Sequence, residues 1–191
     1  MTIKPIAASL LLALGTLPAH ADDMAKYQEE SRAAAAAFIQ QLGGELKKEM
    51  QATGPGGAVK VCKNIAPAIA SEISRKHGWQ VTRVSLKTRN PLLGTPDAWQ
   101  QKVLAQFDQR AEKKENLANL EFSEIVTEPQ GKYFRYMKAI PVQEICLSCH
   151  GAADKIAPQV KEALAADYPH DKATGYSLGQ IRGAVAIKRP L

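Results

Sequence analysis

Phe38, Leu42, Leu46 and Met50 recur every four residues among polar neighbours, the spacing of one face of a helix. The segment "DDMAKYQEESRAAAAAFIQQLGGELKKEMQAT" therefore predicts a long helix, weakened at Gly43-Gly44 and stopped by "TGPGG" at 53–57. A second run, "AVKVCKNIAPAIASEISRKHG", puts Ala58, Val61, Cys62, Ile65, Ile69 and Ile73 on one apolar stripe, with Gly78 as its stop. Pro67 must kink or restart that helix, because proline lacks an N–H and crowds the carbonyl four residues back.

The period then changes. "WQVTRVSLKTR" (79–89) is rich in β-branched residues and predicts a strand, and "NPLLG" predicts a loop. Thr95-Pro96-Asp97 starts a helix with proline at its first position, its apolar face carried by Trp99, Val103 and Phe107. "LEFSEIVTE" and "KYFRYMKAIPV" flank "PQG" as a β-hairpin. A short helix over 158–167 and a last strand, "IRGAVAIKRP", close the chain. The expected class is α+β, an antiparallel sheet with flanking helices.

The N-terminus stands apart. "MTIKPIAASLLLALGTLPAHA" has a basic start at Lys4, an apolar run from Ile6 to Leu17, and Ala19-His20-Ala21. These are the three regions of a secretory signal peptide, and the apolar run is too short to span a bilayer. Cleavage after Ala21 and export to a bacterial periplasm are expected, with no membrane span in the mature chain. Removing Lys4 lowers the net charge of +6 by one. The remaining basic residues are dispersed, so nucleic-acid binding is not expected. A weak attraction to acidic partners or anionic lipid stays open.

Three cysteines in an exported chain leave one unpaired by any disulfide scheme. Two of them stand in "QEICLSCHG", as Cys146, Cys149 and then His150. Cys-x-x-Cys-His is the attachment signature of c-type haem. The two thiols add to the two vinyl groups of the porphyrin, and the adjacent histidine becomes the proximal iron ligand. A zinc site would want a second knuckle, which the sequence lacks. A thioredoxin-like dithiol would not need His150.

The familiar small cytochrome designs do not fit. In one, the motif opens the chain and a methionine ligand lies downstream, yet here no methionine follows His150. The other is a four-helix bundle, which the hairpin and last strand argue against. The sixth iron position has several candidates: Met24, Met50, Met137, His77, His170 and Cys62. His170 lies in a loop, His77 at a helix end, and Met137 within the hairpin. Cys62 is a lone thiol on an apolar helix face, equally readable as a small buried hydrophobe or as a ligand. Arg89, just past a strand, and Arg135, in the hairpin, are candidates for the haem propionates.

From about residue 56 to its end, the chain resembles a family of haem-c-binding, PAS-like sensor domains. The resemblance runs through "VCKNIAPAIA", "VSLKTRNP", "PDAWQQKVLAQF", "KYFRYMKAIPVQEICLSCHG" and "KATGYSLGQIRGAVAIKRPL", in that order. It implies that residues 22–191 form a single PAS-like domain with an N-terminal helical segment packed on it. It also implies one covalent haem whose axial ligands are His150 and Cys62.

Such ligation has consequences. A thiolate opposite histidine favours ferric iron and a low reduction potential. Loss of the Cys62 bond on reduction would open a position for carbon monoxide or nitric oxide and shift the Cys62 helix. The expected role is redox or gas sensing through a separate signalling or redox partner. The alternative is a periplasmic electron carrier. A haem enzyme such as a peroxidase ranks last, since the sequence offers no distinct distal His/Arg pair.

Overall fold

The computed structural model describes residues 20–191. The expected leader, 1–21, lies outside them except for His20 and Ala21, which begin the first helix.

Helix α1 (His20–Lys60) holds through Gly43-Gly44 and breaks at Gly54, whose φ of 72° is open to glycine at little cost. Pro55 follows, and one further helical stretch reaches Lys60. The expected stop at "TGPGG" is therefore a break inside a continuing path. Next comes a π-helical turn, Val61–Ile65, running directly into α2 (Ala66–His77). The Ala66 N–H bonds the Val61 carbonyl, five residues back, and Pro67 sits in the first turn of α2, where a missing donor costs nothing. The kink expected at Pro67 thus takes the form of a wide turn before it, and Cys62 rides on that turn. Gly78, left-handed at φ 70°, ends α2 as the sequence suggests.

Strand β1 (Gln80–Val84) is shorter than the expected 79–89. Its ladder ends because the Ser85 N–H turns away to the Gly94 carbonyl. The "NPLLG" stretch is not simply a loop: Asn90 caps a single turn, α3 (Pro91–Gly94), by accepting from the Leu92 N–H at 3.1 Å. Helix α4 (Ala98–Glu112) begins two residues later than its proline implied. Asp97 is the cap and forms a capping box with Gln100, so Pro96 lies outside the helix. The hairpin is β2 (Glu121–Glu128) and β3 (Gly131–Pro141). Helices α5 (Glu144–His150) and α6 (Pro158–Asp167) precede β4 (Ile181–Pro190).

The four strands form one antiparallel sheet in the order β1-β4-β3-β2, the α+β class expected and consistent with a PAS-like arrangement. Alternation along β3 decides both faces. Phe134 and Tyr136 point at α1 and α2, packing with Ala34, Ala35, Phe38, Ile69 and Ile73. Met137 and Ala139 point at α4, meeting Val103, Leu104 and Phe107. Each fully buried large side chain stabilises the fold by about 1.5–3 kcal/mol. Polar groups fix the docking of α1: Gln28, Arg32 and Tyr136 all donate to the Glu121 carboxylate of β2, at 2.9, 3.1 and 2.8 Å. Helix α6 packs on the last stretch of α1 through Val59, Val160 and Leu164.

Candidate functional site

Between α1, the π turn, α2, the β1–β4 edge and α5 lies a cavity of about 510 Å³. That is within the range of about 300–1,000 Å³ usual for small-molecule and cofactor sites. The stripe Phe38, Leu42, Leu46, Met50 forms one apolar wall. Cys62 faces the cavity from the π turn, and Cys146, Cys149 and His150 face it from α5. The spacing i, i+3, i+4 puts the last three on one helix face, so a short helix suffices to aim them together. All three cysteines are free thiols, and burial raises the Cys149 pKa, with Arg89 acting in the opposite direction. Among the described residues, no three His, Cys, Asp or Glu side chains converge to hold a metal ion by themselves. The sulfurs and the imidazole border a space.

His150 is held in a single tautomer. Its Nδ1 donates to the Ala173 carbonyl at 2.6 Å, which leaves Nε2 the acceptor nitrogen, with the Arg89 Nη1 3.5 Å away. Burial first, then the nearby Arg182 and Arg89 charges, push its pKa well below the ordinary value, so the ring is neutral at physiological pH. The end of α5 is stapled down: the Tyr176 N–H bonds the His150 carbonyl at 2.9 Å and the Gly175 N–H bonds the Gly151 carbonyl at 2.8 Å. Gly151 allows this close turn, since a Cβ there would lie 2.6 Å from the Leu147 carbonyl oxygen.

Of the side chains considered for the sixth iron position, the cavity holds Cys62 and Met50. Met137 is instead fully buried against α4, and Met24 packs beside the α1–sheet core. His77 stacks on Trp79 with centroids 4.6 Å apart, and His170 lies exposed in the loop after α6; neither lines the cavity.

The two expected arginines part company. Arg89 is in the cavity wall, buried, but its guanidinium is engaged: Nε donates to Asp171 at 3.0 Å and Nη2 to the Cys149 carbonyl at 2.6 Å. Asp171 in turn accepts from the Ala173 N–H at 2.8 Å, so the pair braces the loop whose carbonyl fixes His150. Arg135 is away from the site. It shares the parity of Met137 on β3 and therefore faces α4, where it pairs with Asp97 and Glu128 and lies over the Trp99 ring. Arg135, expected as a propionate partner, therefore does not line the cavity.

Three cations in the cavity wall were missed, Lys47 of α1 among them. Arg83 of β1 and Arg182 of β4 both line the cavity, and no Asp or Glu does so among the described residues. Burial and Arg83 push the Arg182 pKa down to about 10, which leaves it cationic at neutral pH. Arg182 reaches the site through a β-bulge: Ile140 pairs with Gly183 and Pro141 with Ile181, so Arg182 is the extra residue between them. Gly183 makes this packing possible: its φ is 157°, and a Cβ there would clash, only 2.3 Å from the Val84 carbonyl oxygen. A glycine inside an otherwise regular strand pattern was the available signal.

Known proteins share this arrangement of elements. A solved structure, that of the cyanobacterial heme-protein Tll0287, superposes with a TM-score of 0.60 at 27% identity, covering 88% of this chain and 95% of its own. No curated protein matches the chain. The family described as Tll0287-like matches residues 17–190, nearly the whole sequence. With that span covered, the chain belongs to the Tll0287-like family.

Proposed function

We propose that this chain is an exported monohaem c-type protein that senses redox state or a small gas. In this reading Cys146 and Cys149 would carry the haem, and His150 and Cys62 would hold its iron. The observation that carries it is that the Cys-x-x-Cys-His helix and the remote Cys62 border one cavity of cofactor size. The fixed tautomer of His150, the apolar wall from α1 and the acid-free, arginine-lined rim all suit a flat apolar group with anionic edges. Membership of a family whose namesake is a heme-protein supports it further. Bound haem supplies an iron that changes oxidation state and can exchange an axial ligand.

The chain's own residues do the rest. His150 keeps its proton on Nδ1 and offers Nε2. Cys62 binds as thiolate, giving up its proton, and favours the oxidised state. Its place on a π turn between the Gly54 break and Pro67 makes it a movable ligand. Such turns are one residue wider than the α-helix and are frequent at functional sites. A change in whether Cys62 holds the iron would act on the π turn and on α2 next to it, a route by which the state of the haem would reach a partner protein.

Electron transfer to a partner is the second reading, favoured by the exposed Leu92 and Leu93 of α3, the latter also lining the cavity.

The test is absorption and electron paramagnetic resonance of wild type, Cys62→Ala and Met50→Leu, produced alongside a haem-attachment apparatus. The expected result is covalent haem in all three and loss of the thiolate signature in Cys62→Ala alone. Reduced wild type is expected to bind carbon monoxide. An unchanged ferric spectrum in Cys62→Ala overturns the thiolate ligand, and reduced protein that refuses carbon monoxide favours the electron carrier.

A further inference from the structure

His150 is gripped at Nδ1 by a carbonyl, and a second contact acts on its face. We infer that Arg182 is a positioning residue that orients the His150 ring and raises the reduction potential of the bound haem; this rests on His150 being an iron ligand.

The Arg182 Nε lies 3.2 Å from Nδ1 and 3.3 Å from Nε2. Nearly equal distances put the guanidinium over the ring between the two nitrogens, not in line with either lone pair. Nδ1 already gives its proton to Ala173, so the Nε2 lone pair lies in the ring plane, with the Arg89 Nη1 3.5 Å from Nε2. The guanidinium is itself anchored. Nη1 donates to the Ser85 hydroxyl at 2.8 Å and lies 3.3 Å from the Lys87 carbonyl. Ser85 is buried and sits 2.8 Å from the Arg182 carbonyl, tying the bulge to the end of β1. Tyr176 completes the seat: its ring stands edge-on to His150 at 6.2 Å and lies 5.5 Å from the guanidinium. A stack held on this many sides resists rotation of the imidazole.

Charge gives the second half of the inference. Arg89, the other guanidinium at His150, is neutralised by Asp171 at 3.0 Å. Among the described residues, no carboxylate pairs with Arg182. Its field at the ring is therefore uncancelled in a partly buried setting, where charges act strongly. A fixed cation beside an axial ligand opposes further positive charge on the metal and so favours the reduced state. It works against the Cys62 thiolate, which favours the oxidised one. The two residues would act on the potential in opposite directions.

The experiment compares haem-loaded wild type, Arg182→Gln and Arg182→Lys by redox titration and ferric electron paramagnetic resonance. At a fixed ambient potential, Arg182→Gln is expected to hold a ferrous-to-ferric ratio about tenfold lower, about 59 mV for a one-electron couple. Its g values are expected to change as the ring turns. Arg182→Lys keeps the charge without the flat stack, so it recovers most of the potential and not the g values. Ser85→Ala unseats Nη1 while retaining every charge; it is expected to alter the g values with little change in potential, and it serves if Arg182→Gln fails to load haem. Wild-type potential and g values in haem-loaded Arg182→Gln, or wild-type g values in Ser85→Ala should the Gln variant stay unloaded, overturn the inference and leave the proposed function standing. A wild-type protein that attaches no haem overturns both.

Discussion

Arg89 and Arg135 look alike in the sequence, each a cation at or near a strand, and they do opposite things. Position 135 falls on the α4 face of β3, so its guanidinium closes a network with Asp97, Glu128 and Trp99. Removing it strands the partly buried Glu128 carboxylate and an aromatic face, and costs the exposed Asp97 its partner. Arg135→Gln is expected to lower stability by about 1–3 kcal/mol in urea unfolding, while the haem spectrum stays that of wild type. A folded Arg135→Gln that fails to load haem would return this residue to the site. Arg182 was missed for a related reason. A plain alternation pattern cannot tell which face an extra residue in a bulge will take, and only the pairing of Gly183 with Ile140 shows it.

At the scale of elements, the cavity exists because α1 is locked to the sheet at one end and broken at Gly54 at the other. The lock is Glu121, whose carboxylate receives Arg32, Gln28 and Tyr136. The Arg32 hydrogen bond above all, opposed in part by desolvation, holds its pKa down from 4.5 to about 2. The folded state thus prefers the ionised form more than the unfolded chain does, so unfolding takes up protons as the pH falls. The contribution of this group is complete above about pH 4.5 and is lost progressively toward pH 2. Urea titrations at stepped pH are expected to show stability falling across that window, with a shallower fall in Glu121→Gln. An identical slope in the variant would mean that other carboxylates carry the acid transition. The π turn is the counterpart at the other end of the cavity. Pro67 forbids an ordinary α-helical bond at its own nitrogen, and the chain answers with a wider turn that brings Cys62 to the cavity.

For the whole molecule, the reading joins a leader, a cavity and a charge. Among the described residues no helix is long and apolar enough to cross a membrane. Expression of the full chain in a bacterium with periplasmic haem attachment is expected to yield coloured mature protein whose mass begins at Asp22. A version starting at Asp22 and kept in the cytoplasm is expected to stay colourless. Colour in the cytoplasmic version, or an uncut leader on the coloured one, would sink the export proposal. With Lys4 removed, the net charge of +6 falls by one, and any attraction to an acidic partner surface is expected to weaken with salt.

Local chemistry and periodicity were enough for some of this. The spacing of Cys146, Cys149 and His150 points to haem, and membership of a family whose namesake is a heme-protein supports that cofactor. The antiparallel α+β sheet and the hairpin follow from period-two runs with turn residues between them. The amphipathic stripe on α1 likewise announced an apolar wall before its partner was known. The sequence could not say what stands about ninety residues away from that motif. Cys62 and Met50 share the cavity while Met137 does not, because a path through a glycine break and a π turn, not distance along the chain, decides who faces α5. The cations followed the same logic: strand parity sent Arg135 to the far face, and a bulge turned Arg182 onto the His150 ring, both consequences of pairing between distant strands.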